Sequence, residues 1–359
     1  MGYTDFALGA ALAVQRWSAS LAVEAEKKQY FAKFMGTGEN ALIVIKKELE
    51  KKAGEKITVG LRRKLTGDGI EGDLMIEGTS AEEALQYFDD SLFINQRRKS
   101  TKSAGKMSEQ RVPYNVRKDG RDSLAVWFAE DYDEQIMMYL AGARGIDTSF
   151  HVPLTFAGRA NNSLQAPDSA HIFYGGNATG KIDVDSSDTM DLGVADRCVA
   201  FLETTDPVVM PFNVNGELKH VLLMHTWQAF DLRKNTSTND WIDIHKNTDG
   251  KDSLIYKNAL GEYNGIVLHK HRNVIRFSDY GATVNLPAAR ALLLGAQAGI
   301  IAWGGNSQPN RYTWNEETED RGNRLVITAG SIYGVKKSRY NSADYGVVAI
   351  DTYCIDPNA

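Results

Sequence analysis

Residues 112–140, VPYNVRKDGRDSLAVWFAEDYDEQIMMYL, constrain this chain more than any other stretch. Leu124, Phe128, Tyr132, Ile136 and Leu140 recur every fourth residue and so line one side of a helix, while Asp122, Asp133 and Glu134 fall away from that stripe. Pro113 suits a first-turn position and Gly142 or Gly145 suits the stop, which predicts about 29 helical residues and a rod of roughly 44 Å. That is long for a globular domain. Gly120 weakens the first third by about 1 kcal/mol relative to Ala. Val126, Met137 and Met138 lie off the stripe, and a helix apolar on more than one side is expected between layers, as a structural spine rather than a site.

The rest of the chain is long enough to surround such a rod. Its 359 residues, 43% hydrophobic and 24% charged, suit a globular protein of two domains or one domain with large insertions. A net charge of -5 argues against a protein whose main task is gripping DNA phosphates through a basic footprint. Cys198 and Cys354 are the only cysteines, which excludes a disulfide framework or a four-Cys zinc site and suits buried thiols in a reducing compartment. No basic run precedes the first apolar residues, and Phe6 occupies the place where a myristoylation signal needs Ser or Thr, so no targeting signal is expected. The segment AARALLLGAQAGIIAWGG is interrupted by Arg290 and Gln297, too often to span a bilayer, and suits a buried small-residue helix or a strand-loop segment.

Ahead of the rod, residues 10–34 have helical spacing, with Val14, Trp17, Leu21 and Ala25 on one face and Tyr30, Phe31 and Phe34 at the end. A terminal arm with such aromatics requires a partner surface. Ile57, Val59, Leu61, Arg63 and Leu65 then alternate as in a half-exposed strand, residues 85–99 supply the return strand, and a Gly- and acid-rich tip joins them. A projecting two-stranded hairpin is marginal in water, so it is expected to lie against something, for which the sequence offers no local cover. After the rod, residues 150–187 suit a long loop with short strands. Met190, Val194, Cys198 and Phe201 then make a helix face, ended by Pro207 and Pro211. HVLLMHTWQAF and NGIVLHKHRNVIRF suit strand or strand-turn segments, and the chain ends in β-branched and aromatic strands. Long helices among scattered strands, without regular βαβ alternation, give an α+β class.

Several motifs invite chemistry. Residues 175–181, GGNATGK, copy the spacing of a phosphate-cradling loop, but the Ser or Thr that should follow Lys181 is Ile182 and no helix start follows. Asp183, Asp185, Ser187, Thr189 and Asp191 alternate like a calcium loop, but its glycine position is Asp188 and its closing glutamate position is Val194, so a solvated loop leading to an N-cap is expected. His269 and His271 flank Lys270 on one face of a strand, and with His220, His225 or His245 they lack the carboxylate or Cys spacing of a metal site. No cofactor or metal is expected. The basic runs 62–64, 97–99 and 336–337 are short and flanked by acids, as solvated or subunit-pairing charges are.

At the hairpin, GEKITVGLRRKLTGDGIEGD and the following KMSEQRVPYNVR resemble the major capsid proteins of the N4-like tailed bacteriophages. NALGEYNGIVLHKHRNV, RALLLGAQA and YGVKKSRYNSADYGVVAIDTY resemble the same family in the same order. The resemblance implies an HK97-like capsid fold. It divides the chain into an N-terminal arm and lead-in (1–54), an extended E-loop hairpin (55–99), a peripheral domain with the spine helix at about 113–143 and a long loop (100–188), an axial domain (189–305), and return strands of the peripheral domain (306–359). Trp17, Leu61, Arg63, Lys64, Leu65, Ile70, Leu74 and Ile76 become the candidate subunit-interface residues. The implied function is structural rather than enzymatic: hexamers and pentamers of an icosahedral virion shell, made in the host cytoplasm, around double-stranded DNA contacted non-specifically. Decoration and portal proteins are implied partners, and a membrane is not. Some relatives form Lys–Asn crosslinks, but nothing selects such a pair here, and none is expected. The alternatives are an encapsulin-like compartment and a nucleotide-binding enzyme using residues 175–181.

Overall fold

The computed structural model describes residues 21–358 apart from 26–27, 80, 112, 114, 206–207, 215, 238–239, 242–243, 245–258 and 308–309. Trp17 and His245 lie outside the described residues, as does the first half of the expected arm helix.

One sheet of six strands runs in the order β1 (Met35–Gly36), β2 (Ile43–Glu50), β15 (Gly299–Gly305), β17 (Arg324–Lys337) and β16 (Thr313–Glu319), with β5 (Asn95–Lys102) pairing along β17. A second sheet of eight runs β11 (Ala259–Tyr263), β12 (Ile266–Lys270), β10 (Glu217–Met224), β14 (Leu286–Leu294), β20 (Val347–Tyr353) and β8 (Ile172–Tyr174). Here β13 (Arg276–Tyr280) pairs with β14, and β9 (Phe212–Val214) with β10. Three two-stranded pairs complete the strands: β3 (Lys56–Arg62) with β4 (Tyr87–Phe93), β6 (Gly158–Arg159) with β7 (Asn162–Ser163), and β18 (Arg339–Tyr340) with β19 (Ala343–Asp344). Residues 21–25 are helical, and the helices with both ends described are α1 (Lys106–Gln110), α2 (Val116–Ala141), α3 (Leu192–Thr204) and α4 (Thr226–Asn235). The class is α+β.

The spine is α2, and it lies between the layers. Leu124, Phe128, Tyr132 and Ile136 share one core with Ile301, Trp303, Ile327 and Tyr333 of the six-stranded sheet and with Val221, Leu223, Leu292 and Leu294 of the eight-stranded one. The alternate residues Leu222, Met224 and Leu293 face the other way, against Val194, Cys198 and Leu202 of α3 and Leu232 of α4. This alternation is the period-two consequence of a strand buried on both faces. Gly120 has a packing role: a Cβ there would lie 3.0 Å from Thr101 of β5 and 3.2 Å from Ile327 of β17, so its absence lets helix and sheet approach closely.

Several expectations are corrected. The helix begins at Val116, with Asn115 accepting from the Lys118 N–H at 3.1 Å, so Pro113 stands ahead of the cap rather than in the first turn. It ends where expected, at Gly142 with φ 67°. Every residue from 131 to 141 is buried, Asp133, Glu134, Met137 and Met138 among them, because sheet, arm and loop surround that half. The expected return strand divides at Ile94: β4 stays with β3, while β5 leaves to pair with β17 from Asn95↔Tyr333 to Lys102↔Val326. TWQAF opens a helix, because His225 and Gln228 form a reciprocal capping box. β15 pairs with β2 and β17, and β20 pairs with β14.

Candidate intersubunit surface

The β3–β4 hairpin keeps strict register from Lys56↔Phe93 to Arg62↔Tyr87. Its root is anchored by Ile57 and Leu92, buried against Leu49, Ile300 and Ala302. At the exit, Asn162 brackets Phe93, accepting its N–H at 3.0 Å and donating to its carbonyl at 2.8 Å. On the other side Gly334 admits that carbonyl, which would lie 2.0 Å from a Cβ. Lys336 pairs with Asp90 and also donates to the Ser91 carbonyl at 3.1 Å. The hairpin is therefore rigidly seated at its base.

Its far end is different. Beyond Arg62 there is no regular strand until Tyr87 among the described residues. The Glu83 carboxylate accepts from the Thr66 and Gly67 amides, and Gly78 donates to Glu82 at 3.0 Å, so local carboxylates tie the tip together. Leu61 and Ile70 are half-buried, whereas Arg63 and Lys64 are exposed, Arg63 donating to Gln86 at 2.9 Å. Leu65, Leu74 and Ile76 are 56%, 73% and 54% exposed. Sequence reasoning missed Met75, at 74%, and Leu85, at 55%, though three consecutive apolar residues in a Gly- and acid-rich tip were a readable signal. These exposed apolar groups make this end of the hairpin the candidate intersubunit contact.

The acidic row of the spine joins separate segments. Asp131 accepts from Arg97, from Gln135 at 2.8 Å and from the Tyr333 hydroxyl at 2.7 Å. Asp133 accepts the Tyr30 and Phe31 amides at 2.6 and 3.1 Å, and burial pushes its carboxyl up to about 7. Glu134 accepts the His151 amide at 2.8 Å and faces its ring at 3.0 Å, with burial again raising the carboxyl. The expectation that Asp133 and Glu134 point away from the packed side fails because the arm brings the Tyr30 and Phe31 amides to Asp133 and the loop after the helix brings His151 to Glu134.

The other motifs have ordinary structural roles. In 175–181, Lys181 pairs with Asp279 at 2.5 Å, the Asn177 amide donates to Asp188 at 3.3 Å, and Arg197 of α3 donates to the Gly176 carbonyl, so the loop is tied down by the protein's own side chains. Asp191 caps that helix, accepting from the Val194 N–H at 2.7 Å, while Asp185 closes its own turn onto Ser187. Among the described residues, no group of three or more His, Cys, Asp or Glu side chains has a metal-holding arrangement. Nor is any described helix long and apolar enough to cross a membrane. Two of the basic runs are less free than expected: Arg97 binds Asp131, Lys336 binds Asp90, and Lys337 is buried on Asp344 at 2.6 Å. Cys198 and Cys354 are buried free thiols, both pushed up by desolvation.

Comparison with known proteins agrees with this architecture. The major capsid protein of Pseudomonas phage KPP25 is 26% identical over 386 residues, 97% of each chain. The capsid of Ralstonia phage GP4 superposes with a TM-score of 0.87 at 40% identity, covering all of both chains. The capsid of cyanophage Pam1, at 21% identity and a TM-score of 0.72 over 91% of this chain and 93% of that one, shares the fold. The fold is HK97-like. The profile of the family described as phage capsid protein matches residues 5–355, and the chain belongs to that family.

Proposed function

We propose that this chain is the major capsid protein of a tailed double-stranded DNA phage, closing into hexamers and pentamers of an icosahedral shell around the genome. The observation that carries the proposal, beside family membership, is the hairpin: firmly seated at its base, apolar at its tip, and with those apolar residues exposed among the described residues. Covering Leu65, Leu74, Met75 and Ile76 on an adjacent subunit would contribute about 1.5–3 kcal/mol for each side chain fully buried. Arg63 and Lys64, beside that patch, would steer the approach. Leu61, Ile70 and Trp17 complete the proposed contact set.

In this arrangement residues 1–54 form the arm and lead-in and 55–99 the E-loop. The spine with β15, β16 and β17 forms the peripheral domain, on which the lead-in strand β2 and the end of the E-loop at β5 are paired, and the eight-stranded sheet with α3 and α4 forms the axial domain. Sheet pairing supports moving β15 to the former and β20 to the latter. The protein is made in the host cytoplasm, resides in the virion, and contacts DNA without sequence preference; portal and decoration proteins complete the particle.

Electron microscopy of the purified native assembly tests this. Capsomers or shells containing nucleic acid are expected. A monomer under all assembly conditions overturns the proposal, and shells filled with protein cargo favour an encapsulin-like compartment instead. Deleting residues 66–84 should leave a folded, soluble subunit that assembles poorly. Normal particle yield would show that the hairpin tip is not the intersubunit element.

A further inference from the structure

A cavity of about 180 Å³ lies between the arm root, the spine and the six-stranded sheet, with Gln29, Lys47, Tyr132, Trp303, Arg311 and Tyr312 in its wall. That is too large for a single water, whose share of the liquid is about 30 Å³. Lys47 follows Ile45 at the two-residue period of β2, which brings both side chains to the same wall, and Lys47 is exposed there. Trp303 comes from the neighbouring strand β15, and the Arg311 guanidinium lies over its ring at 4.0 Å. Tyr132 of the spine and Tyr312, with ring centroids 6.4 Å apart, close the inner side.

The polar groups of this wall are one-sided. Trp303 is only 3% exposed, and its Nε1–H has no acceptor among the described residues. The Gln29 amide nitrogen is buried in the same condition. Two cations, Lys47 and Arg311, stand beside these donors, whereas no carboxylate of the described residues lines the cavity. Glu50, 3.4 Å from the Arg311 Nη2, is outside the wall. Buried donors are almost always satisfied, and an indole N–H has no acceptor role to fall back on. Water can serve the two donors, but an oxyanion serves them and meets both positive charges as well.

We propose that this cavity is an anion-binding site, in which a small oxyanion, the oxygens of a phosphate or a carboxylate, accepts from Trp303 Nε1 and Gln29 Nε2 while Lys47 and Arg311 supply the opposing charge. One bound group would then join the arm root at Gln29, the lead-in strand at Lys47 and the segment ahead of β16 at Arg311. Its source is a free ion or a carboxylate side chain of a second copy of this chain, and only the second source rests on the capsid reading.

Titration of inorganic phosphate into the unassembled full-length subunit at constant ionic strength, followed by calorimetry and phosphorus NMR line broadening, tests the site. Saturable binding of one phosphate per chain is expected. Trp303→Phe retains an aromatic ring and removes the N–H, and should weaken binding at least about tenfold, the scale of one hydrogen bond to a charged group. Lys47→Met should weaken it about threefold, as an exposed charge pair does. Lys64→Met, at the hairpin tip, should leave it unchanged. Absence of saturable binding, unchanged affinity in either folded site variant, or an equal loss in Lys64→Met overturns the proposal and leaves the cavity to water. Because Lys47 is exposed, Lys47→Met decides alone if Trp303→Phe does not fold. Repeating the titration on assembled shells separates the sources: phosphate binding retained in the shell identifies a free ion, and binding lost on assembly identifies a carboxylate of the second copy. The subunit titration does not require shells to form, so failure of the capsid reading and failure of this site are told apart.

Discussion

Replacing Asp131 by Asn removes one charge at the point where the spine meets the six-stranded sheet, with almost no change in volume. The side chain is fully buried and takes bonds from Arg97, Gln135 and Tyr333; Gln135 Nε2 also reaches the Tyr333 hydroxyl at 2.7 Å. Arg97 stands over the Trp127 ring at 5.2 Å, so it gives up that contact if it swings to water. An Asn retains one acceptor oxygen and turns an NH₂ toward a donor. Removing one partner of a buried ion pair costs about 3–5 kcal/mol. The Arg97 side chain keeps 22% exposure, which places the expected loss near the lower figure, about 3 kcal/mol. Tyr333→Phe removes one neutral donor and should cost about 1–2 kcal/mol. Because both residues share Gln135, the double variant should depart from the sum by at least about 0.5 kcal/mol. Urea unfolding of the unassembled subunit, followed by tryptophan fluorescence, reads these losses as midpoint shifts at constant slope. A loss below about 1 kcal/mol for Asp131→Asn, or simple additivity, would refute the assignment of Asp131 as the joint.

Other substitutions probe other joints. Gly142→Val should lose more than about 3 kcal/mol or fail to accumulate in soluble form, since φ is 67° and a Cβ would lie 2.0 Å from the Gln165 carbonyl oxygen; an unchanged melting temperature would contradict this. Lys337→Met should cost about 3 kcal/mol at neutral pH by leaving the buried Asp344 carboxylate with only Arg339, at 3.6 Å, both Lys337 and Asp344 side chains being only 1% exposed. Burial already raises Asp344, and with Lys337 gone its folded value rises further above the unfolded one, so the deficit should shrink as the pH falls toward the unfolded value. Thermal melts across pH check it, and a deficit that grows in acid would count against the pair. In the native subunit neither Cys198 nor Cys354 should react with a disulfide reagent near neutral pH, because burial raises both thiols; both should react once urea unfolds the chain, and prompt native labelling would show them to be exposed.

The period-four stripe was enough to place the spine and its position between layers, because periodicity reports which face has the largest apolar area, while the glycines narrowed the stop to Gly142 or Gly145. It misplaced the charges on the same helix. Asp133 and Glu134 lie beside the stripe and would face water on an isolated helix; they are buried because Tyr30, Phe31 and His151 bring donors to them. Those donors stand 103, 102 and 17 residues from the carboxylates they meet, separations that no helical period encodes. The same limit explains β5. NQRRKSTK is polar and extended in either assignment, and only the location of β17 decides that it leaves the hairpin at Ile94. The tip was more legible, since an apolar run among glycines and acids implies a missing cover whatever the partner is. A helix packed against two sheets, an arm and a loop has little free face for charges, so its acids become joints: Asp131 to the sheet, Asp133 to the arm, Glu134 to the loop. Each joint joins the apolar stripe to a different segment, and a proton or a single substitution there changes one attachment while the stripe stays packed. Asp131 joins the spine to the six-stranded sheet inside the core that the two share, which is why Asp131→Asn is expected to register in global unfolding.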